Sequence, residues 1–174
     1  AIISIIIALI AMFIYIFIRF KKWQYGLGAT VALFHDAFMV TGVFSLFYGI
    51  LPFNLEIDQN FLAAILTLVG YSINDTVIIF DRIREYNTLY PKRSLIQNMN
   101  DAINSTLPRT VNTAGTTLLV LLAIFILGSE VIQGFTFAMI IGVIVGTYSS
   151  VFIASTIAWF ILEGNKANKK KINN

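Results

Sequence analysis

Long runs of apolar residues, almost free of charge, constrain this chain more than any other feature. Several runs hold 18 or more residues, and a helix needs about 20 apolar residues to cross roughly 30 Å of hydrocarbon. Of all residues, 57% are hydrophobic and only 12% are charged, whereas a soluble domain has about 45–50% and about 25%. The sequence therefore predicts an all-α integral membrane protein.

The apolar runs predict a single bundle of five transmembrane helices over residues 1–164. The spans are placed at about 1–18, 25–50, 61–80, 108–127 and 131–162. The last one is long enough to include an interfacial turn. Residues 83–107 have apolar side chains at helical spacing and are expected to lie on the cytoplasmic surface as an amphipathic helix, which can run into the fourth span with a bend at Pro108. Residues 165–174 form a basic cytoplasmic tail that is expected to be disordered.

The positions of the Lys and Arg residues predict the orientation. Of the twelve, all except Arg109 follow the first, third or fifth span. The connections after the second and fourth spans, residues 51–60 and 128–130, contain no Lys or Arg and carry acidic side chains. Because Lys and Arg are enriched in cytoplasmic loops, the N-terminus is expected outside and the C-terminus inside.

Several classes of function lack their chemistry in this sequence. There is no cysteine and only one histidine, so neither a thiolate nor a multi-histidine metal site can form. No glycine-rich phosphate loop and no serine nucleophile motif is present. The basic residues lie beside the spans and are not interleaved with aromatic residues, which argues against a nucleic-acid surface. We expect neither an enzyme nor a bound cofactor or metal.

The third span carries the most informative polar residues. Tyr71, Asn74 and Asp75 are spaced to share one face of the helix. Eleven Leu, Ile, Val and Phe residues in 61–80 favour insertion by roughly 3 to 7 kcal/mol in total, and one central Asp opposes it by about 2.5 to 3.5 kcal/mol. Such a helix is marginal by itself, so Asp75 is expected to face other helices or a water-filled crevice and to have a partner.

Arg109 is the candidate partner of Asp75, because topology leaves it unassigned. It begins a polar face on the fourth span, which continues through Asn112, Thr113, Thr116 and Thr117. An aspartate close to the arginine stays ionised, whereas one that loses the arginine takes up a proton, since an isolated charge is costly in hydrocarbon. Proton uptake is thereby linked to helix movement. The alternative is that Asp75 and Arg109 only hold helices together.

Two further pairs of ionisable residues are noted. His35 and Asp36 lie inside the second span, where hydrogen bonding between helices is favoured and a part in a proton relay is the alternative. Asp81 and Arg82 lie at the cytoplasmic boundary, where anchoring and local pairing are the usual roles.

Three segments resemble motifs of the SecF family, the second half of the SecDF protein-export machinery. They are GYSINDTVIIFDRIRE at 70–85, ALFHD at 32–36 and LPRTVNTAGTT at 107–117. They occur in the family's order between residues 32 and 117, and the segment 70–85 is long enough to be specific.

The resemblance implies a relative of the proton-driven RND exporters that supplies the last five spans of a six-span repeat. It implies a further span and a large extracytoplasmic domain upstream, a SecD half as partner, and contacts with the SecYEG translocon and with accessories of the YidC and YajC type. Preproteins would be the substrate, protons the coupling ion, and a bacterial or archaeal plasma membrane the location. Asp75 and Arg109 match the family's proton path, with Asn74, Tyr71, His35, Asp36, Thr113 and Thr116 as candidate relay or supporting residues. The alternatives are an RND-like exporter of small molecules or lipids and a translocon scaffold that transports nothing.

Overall fold

The computed structural model describes residues 2–172, and every regular element in that range is helical. In chain order the elements are α1 (Ile2–Phe20), α2 (Trp23–Phe47), α3 (Gln59–Leu89), α4 (Leu95–Leu127), α5 (Glu130–Ser149), a π-helical turn (Ser150–Ala154) and α6 (Ser155–Ile172). For the described part of the chain, the all-α prediction is confirmed.

Four stretches in this range are long and apolar enough to cross a membrane. They are Trp23–Phe47, Gln59–Leu89, Leu95–Leu127 and Glu130–Gly164, the last of which joins α5, the π-helical turn and the start of α6. In α1, the stretch Ile10–Phe20 qualifies only as a shorter apolar helix. The structure therefore supports a multi-pass membrane protein, and the first predicted span, residues 1–18, stays a prediction.

Side chains in the loops fix where α3 and α4 begin. Asp58 Oδ1 accepts the backbone N–H of Phe61 at 2.9 Å and so caps α3. At the start of α4, Ser94 and Gln97 form a capping box, in which each side chain accepts the other residue's backbone N–H at 3.3 Å. These caps satisfy N–H groups that have no partner within the helix.

The polar segment 83–107 differs from its prediction as one surface helix. Its first residues complete α3, its last ones begin α4, and only the short loop 90–94 separates the two. Residues 95–107 do run directly into the fourth span, as expected, because α4 passes through Pro108 without interruption. The predicted surface helix is thus divided between two helices that extend beyond their apolar parts.

The last predicted span contains a π-helical turn instead of an interfacial turn. Helical structure continues on both sides of Ser150–Ala154, and α6 runs on to Ile172. The expectation of disorder from residue 165 onward therefore does not hold for the backbone up to Ile172, where Lys and Ala favour a helix. Residues 173 and 174 lie outside the described range.

Helix α5 lies at the centre of the bundle and packs against α2, α3 and α4. Its glycines permit close approach: a Cβ at Gly142 would overlap the Leu68 side chain of α3, and one at Gly146 would lie 3.3 Å from Ser72. Small residues at this spacing bring membrane helices together.

The two ends of the bundle differ in charge. We call one the basic end, because α1 and α3 end there, α2 and α4 begin there, and Lys21, Lys22, Lys92 and Arg93 lie in the two loops between them. At the other, the acidic end, Glu56, Asp58 and Glu130 line a cavity of about 180 Å³. A buried apolar cluster fills each half, around Phe80 toward the basic end and around Phe44 toward the acidic end.

Candidate functional site

Asp75 lies near the middle of α3 and is turned into the protein. Only 4% of its surface is exposed, and its Oδ2 atom is buried without a hydrogen-bond partner. Buried carboxyl oxygens normally accept hydrogen bonds. An unsatisfied oxygen on an ionisable side chain at membrane depth therefore marks Asp75 as a candidate functional group.

Arg109 lies on the exposed side of α4. Helices α3 and α4 pack against each other, but no ion pair within 4.0 Å joins the described side chains of Arg109 and Asp75. The predicted partners therefore lie on two packed helices without an ion pair in this conformation.

The threonine hydroxyl groups on the polar face of α4 bond to carbonyl groups of α4 itself. Thr113 Oγ1 donates to the Arg109 carbonyl at 2.9 Å, and Thr116 Oγ1 donates to the Asn112 carbonyl at 2.9 Å. Arg109, Asn112 and Thr116 are exposed, while Thr113 is partly buried. Because the hydroxyl groups are satisfied within the helix, Arg109 and Asn112 supply the polar groups that remain for a partner.

The polar residues of α3 do not all point the same way. Asn74 is exposed, whereas Tyr71 is partly buried and its hydroxyl oxygen has no hydrogen-bond partner. Neighbouring helical residues differ by about 100° in direction, so Asn74 faces outward while Asp75 faces inward. The polar strip predicted from spacing is thus split between the surface and the interior.

Asp36 is the second buried carboxyl group and, unlike Asp75, has partners for both oxygens. His35 Nδ1 lies 3.2 Å from Asp36 Oδ1, and Ser72 Oγ donates to Asp36 Oδ2 at 2.8 Å. Asp36 is 5% exposed and Ser72 3%. This contact connects α2 to α3, as expected for interhelical hydrogen bonding.

Sequence reasoning missed the buried hydroxyl groups that link α3 to the π-helical turn. Thr76 Oγ1 donates to Ser150 Oγ at 2.9 Å, and Ser150 Oγ donates to the Ser72 carbonyl at 3.3 Å. All three residues are buried. The one signal in the sequence was the spacing of Ser72 and Thr76, four residues apart and therefore on one side of α3.

Asp81 and Arg82 take part in ion pairs at the basic end. Arg19 Nη2 lies 2.7 Å from Asp81 Oδ2 and so joins α1 to α3. Arg82 pairs with Glu85 at 2.7 Å, and its Nε donates to Ser105 Oγ of α4 at 3.0 Å. The pair of Arg82 with Glu85 is local, whereas the pair of Asp81 with Arg19 joins two helices.

Within residues 2–172, no group of three or more His, Asp or Glu side chains is arranged to hold a metal ion.

Comparison with known proteins agrees with the motifs in α2, α3 and α4. Residues 1–164 match the sequence model of the family described as protein export membrane protein SecD/SecF, C-terminal. The protein translocase subunit SecF of Rhodothermus marinus is 55% identical over 90% of this chain and 51% of its own length. SecF of Rhodobacter capsulatus is 47% identical over 95% of this chain and 48% of its own length.

Solved structures give the same result. The crystal structure of SecDF in a super-membrane-facing form superposes with a TM-score of 0.85 at 38% identity, covering 94% of this chain and 21% of that chain. SecDF of Thermus thermophilus gives a TM-score of 0.79 at 39% identity, covering 87% and 20%. The chain thus spans about half the length of the SecF relatives it matches. It belongs to the SecD/SecF family of protein-export membrane proteins and matches that family's SecF members.

Proposed function

We propose that this chain is the membrane-spanning part of a SecF subunit, and that it couples proton movement to preprotein export through Asp75 and Arg109. The family assignment supports the role in export. The observation that carries the coupling step is the buried Asp75 Oδ2 without a hydrogen-bond donor, on a helix that packs against the helix of Arg109.

The proposed step alternates between two arrangements of α3 and α4. When the guanidinium of Arg109 reaches Asp75, the pair is held as two opposite charges. When the helices separate, an unpaired carboxylate is too costly in the low-dielectric interior, and Asp75 binds a proton and becomes neutral. A proton taken up from one side and released to the other thus accompanies a change in helix packing.

The exposed polar face supports a membrane partner. Asn74, Arg109, Asn112 and Thr116 are exposed on α3 and α4, and lipid offers no hydrogen bonds to such groups at membrane depth. We propose that the SecD half covers this face, and that the assembled protein acts with SecYEG and accessories of the YidC and YajC type in a bacterial or archaeal plasma membrane.

The proposed topology has five spans with the N-terminus outside. The support is the grouping of basic residues at one end of the bundle and of Glu56, Asp58 and Glu130 at the other. Single cysteines in the loops 51–57 and 90–94 of the otherwise cysteine-free chain test it. We expect an impermeant thiol reagent to label the first from outside the cell and the second only after the membrane is opened.

Export by the complete complex tests the role of Asp75 and Arg109. Full-length SecF carrying Asp75→Asn or Arg109→Met is assembled with its partners in proteoliposomes, and the gain in export from an imposed proton gradient is measured. We expect the gain in export to fall at least about tenfold in both variants. The control Asp101→Asn removes an exposed carboxylate near Arg93 and should keep the full gain. If both variants assemble and retain the gain, the scaffold alternative is correct and the proton step is wrong.

A further inference from the structure

Two hydroxyl groups near Asp75 connect α3 to other elements: Ser72 bonds to Asp36 of α2, and Thr76 bonds to Ser150 of the π-helical turn. We propose that Ser72 and Thr76, held by Asp36 and Ser150, form a latch that positions α3 and must open when Asp75 moves toward Arg109. This inference rests on the proposed role of Asp75, and it adds Ser72, Thr76 and Ser150 as positioning residues.

The geometry ties the latch to Asp75 mechanically. Ser72 lies three residues before Asp75 and Thr76 one residue after it, so all three belong to one turn of α3. A rigid helix cannot rotate or slide at Asp75 without moving the two hydroxyl groups by a similar amount. Contacts of 2.8 Å to Asp36 and 2.9 Å to Ser150 leave little room for such movement before they break.

The environment makes these contacts costly to lose. Ser72, Thr76, Ser150 and Asp36 are each at most 5% exposed, so no bulk water replaces a broken bond. Gly146 brings the backbone of α5 against Ser72, because a Cβ there would lie 3.3 Å from the serine Oγ. The contacts therefore act between closely packed backbones and resist displacement of the helices themselves.

The element on the far side of the latch is the π-helical turn. Ser150 is its first residue, and Ser155 Oγ donates to the Ser150 carbonyl at 3.3 Å just beyond it. A π turn holds one more residue than the corresponding α turn, and such turns are frequent at functional sites. Ser150 Oγ joins this turn to α3 twice, by accepting from Thr76 Oγ1 at 2.9 Å and by donating to the Ser72 carbonyl at 3.3 Å.

The buried Asp75 Oδ2, which has no hydrogen-bond partner, favours movement of α3 away from the latched position. In the latched position, two hydroxyl groups on α3 are satisfied and one carboxyl oxygen is not. In a position next to Arg109, the carboxyl group gains a donor, Ser72 loses Asp36, and Thr76 loses Ser150 and keeps only the Ser72 carbonyl of its own helix, which lies 3.1 Å from its Oγ1. The latch thus sets the balance between the two arrangements.

Thiol labelling at a buried position of α3 measures this balance in the full-length complex. The probe is Val69→Cys, because Val69 is 4% exposed and lies one turn before Ser72, and a thiol reacts only when water reaches it. Thr76→Val and Ser150→Ala break the latch. The matched control is Thr67→Val, since Thr67 also lies on α3 but donates only to the Ala63 carbonyl of its own helix at 2.7 Å.

We expect Thr76→Val to speed labelling roughly threefold to fifteenfold, the range for one interhelical hydrogen bond in a membrane. Ser150→Ala also removes the bond to the Ser72 carbonyl and should speed labelling at least as much. Thr76→Ser keeps the hydroxyl and should label at the unmodified rate. The double variant should label no faster than Ser150→Ala, because both changes remove the same contact. Should Thr76→Val not assemble, Ser72→Ala tests the contact to Asp36 in the same way.

Two results would overturn the latch: labelling in Thr76→Val at the rate of Thr67→Val, or equally fast labelling in Thr76→Ser and Thr76→Val. These results are independent of the proposed function, which fails instead if Asp75→Asn keeps gradient-driven export. If labelling confirms the latch but Asp75→Asn exports normally, the latch only stabilises the fold. That combination would overturn its role in positioning Asp75.

Discussion

Replacing Gly28 of α2 with alanine tests how closely α2 packs against the π-helical turn. A Cβ there would lie 2.7 Å from the Ala154 carbonyl oxygen and 3.3 Å from the Ala158 nitrogen, both backbone atoms of the π-helical turn and α6. Carbon and oxygen approach to about 3.3 Å at closest in helix packing, so Gly28→Ala forces α2 and the turn apart by roughly 0.6 Å. Overpacking of this kind costs about 1–3 kcal/mol.

Gly42 of the same helix supplies the matched control, because a Cβ there meets nothing within 4 Å. Both Gly→Ala changes gain the same helix propensity, about 1 kcal/mol, so the difference between them isolates the clash. We expect Gly28→Ala to be less stable than Gly42→Ala by about 1–3 kcal/mol. Reversible unfolding of the purified protein in detergent, followed by circular dichroism, measures both. Equal stability of the two variants would refute the close approach of α2 to the π-helical turn.

Two smaller effects follow from the helix ends. Ser94→Ala removes the capping box with Gln97 and should lower the free energy of unfolding by about 1 kcal/mol, seen as faster hydrogen exchange in the first turn of α4; unchanged exchange there would contradict the cap. Arg19→Gln breaks the pair with Asp81, whose side chains are 45% and 38% exposed, and should cost less than about 0.5 kcal/mol after screening by solvent. A loss several times larger, or one that persists in high salt, would mean that the pair is better shielded than its exposure indicates.

The sequence predicted the features that depend on the residues within a single helix. The apolar runs located the helices, and the rarity of ionisable residues within them singled out Asp75, Arg109 and the pair His35 and Asp36. These signals are strong because burying an ionisable group in hydrocarbon costs several kcal/mol. The motif at 70–85 then identified the family correctly.

The features that escaped prediction depend on contacts between segments. Ser72, Thr76 and Ser150 look like ordinary helical residues, since a hydroxyl group can always bond to its own helix, and only the packing of α2, α3 and the π-helical turn gives them distant partners. The same holds for the π-helical turn, whose extra residue leaves no mark in an apolar sequence. The gap between Asp75 and Arg109 is likewise a property of one conformation, which spacing along the chain does not specify.

Direct measurement of proton movement tests the central claim most sharply. The full-length complex is reconstituted into vesicles that contain a pH-sensitive dye, and proton entry is followed after a gradient is imposed, with Asp101→Asn as control and Asp75→Asn as test. The account predicts that proton entry into vesicles with the Asp75→Asn complex falls to the level of empty vesicles, while vesicles with the control complex take up protons normally. Proton entry that is unchanged in a correctly assembled Asp75→Asn complex would contradict it.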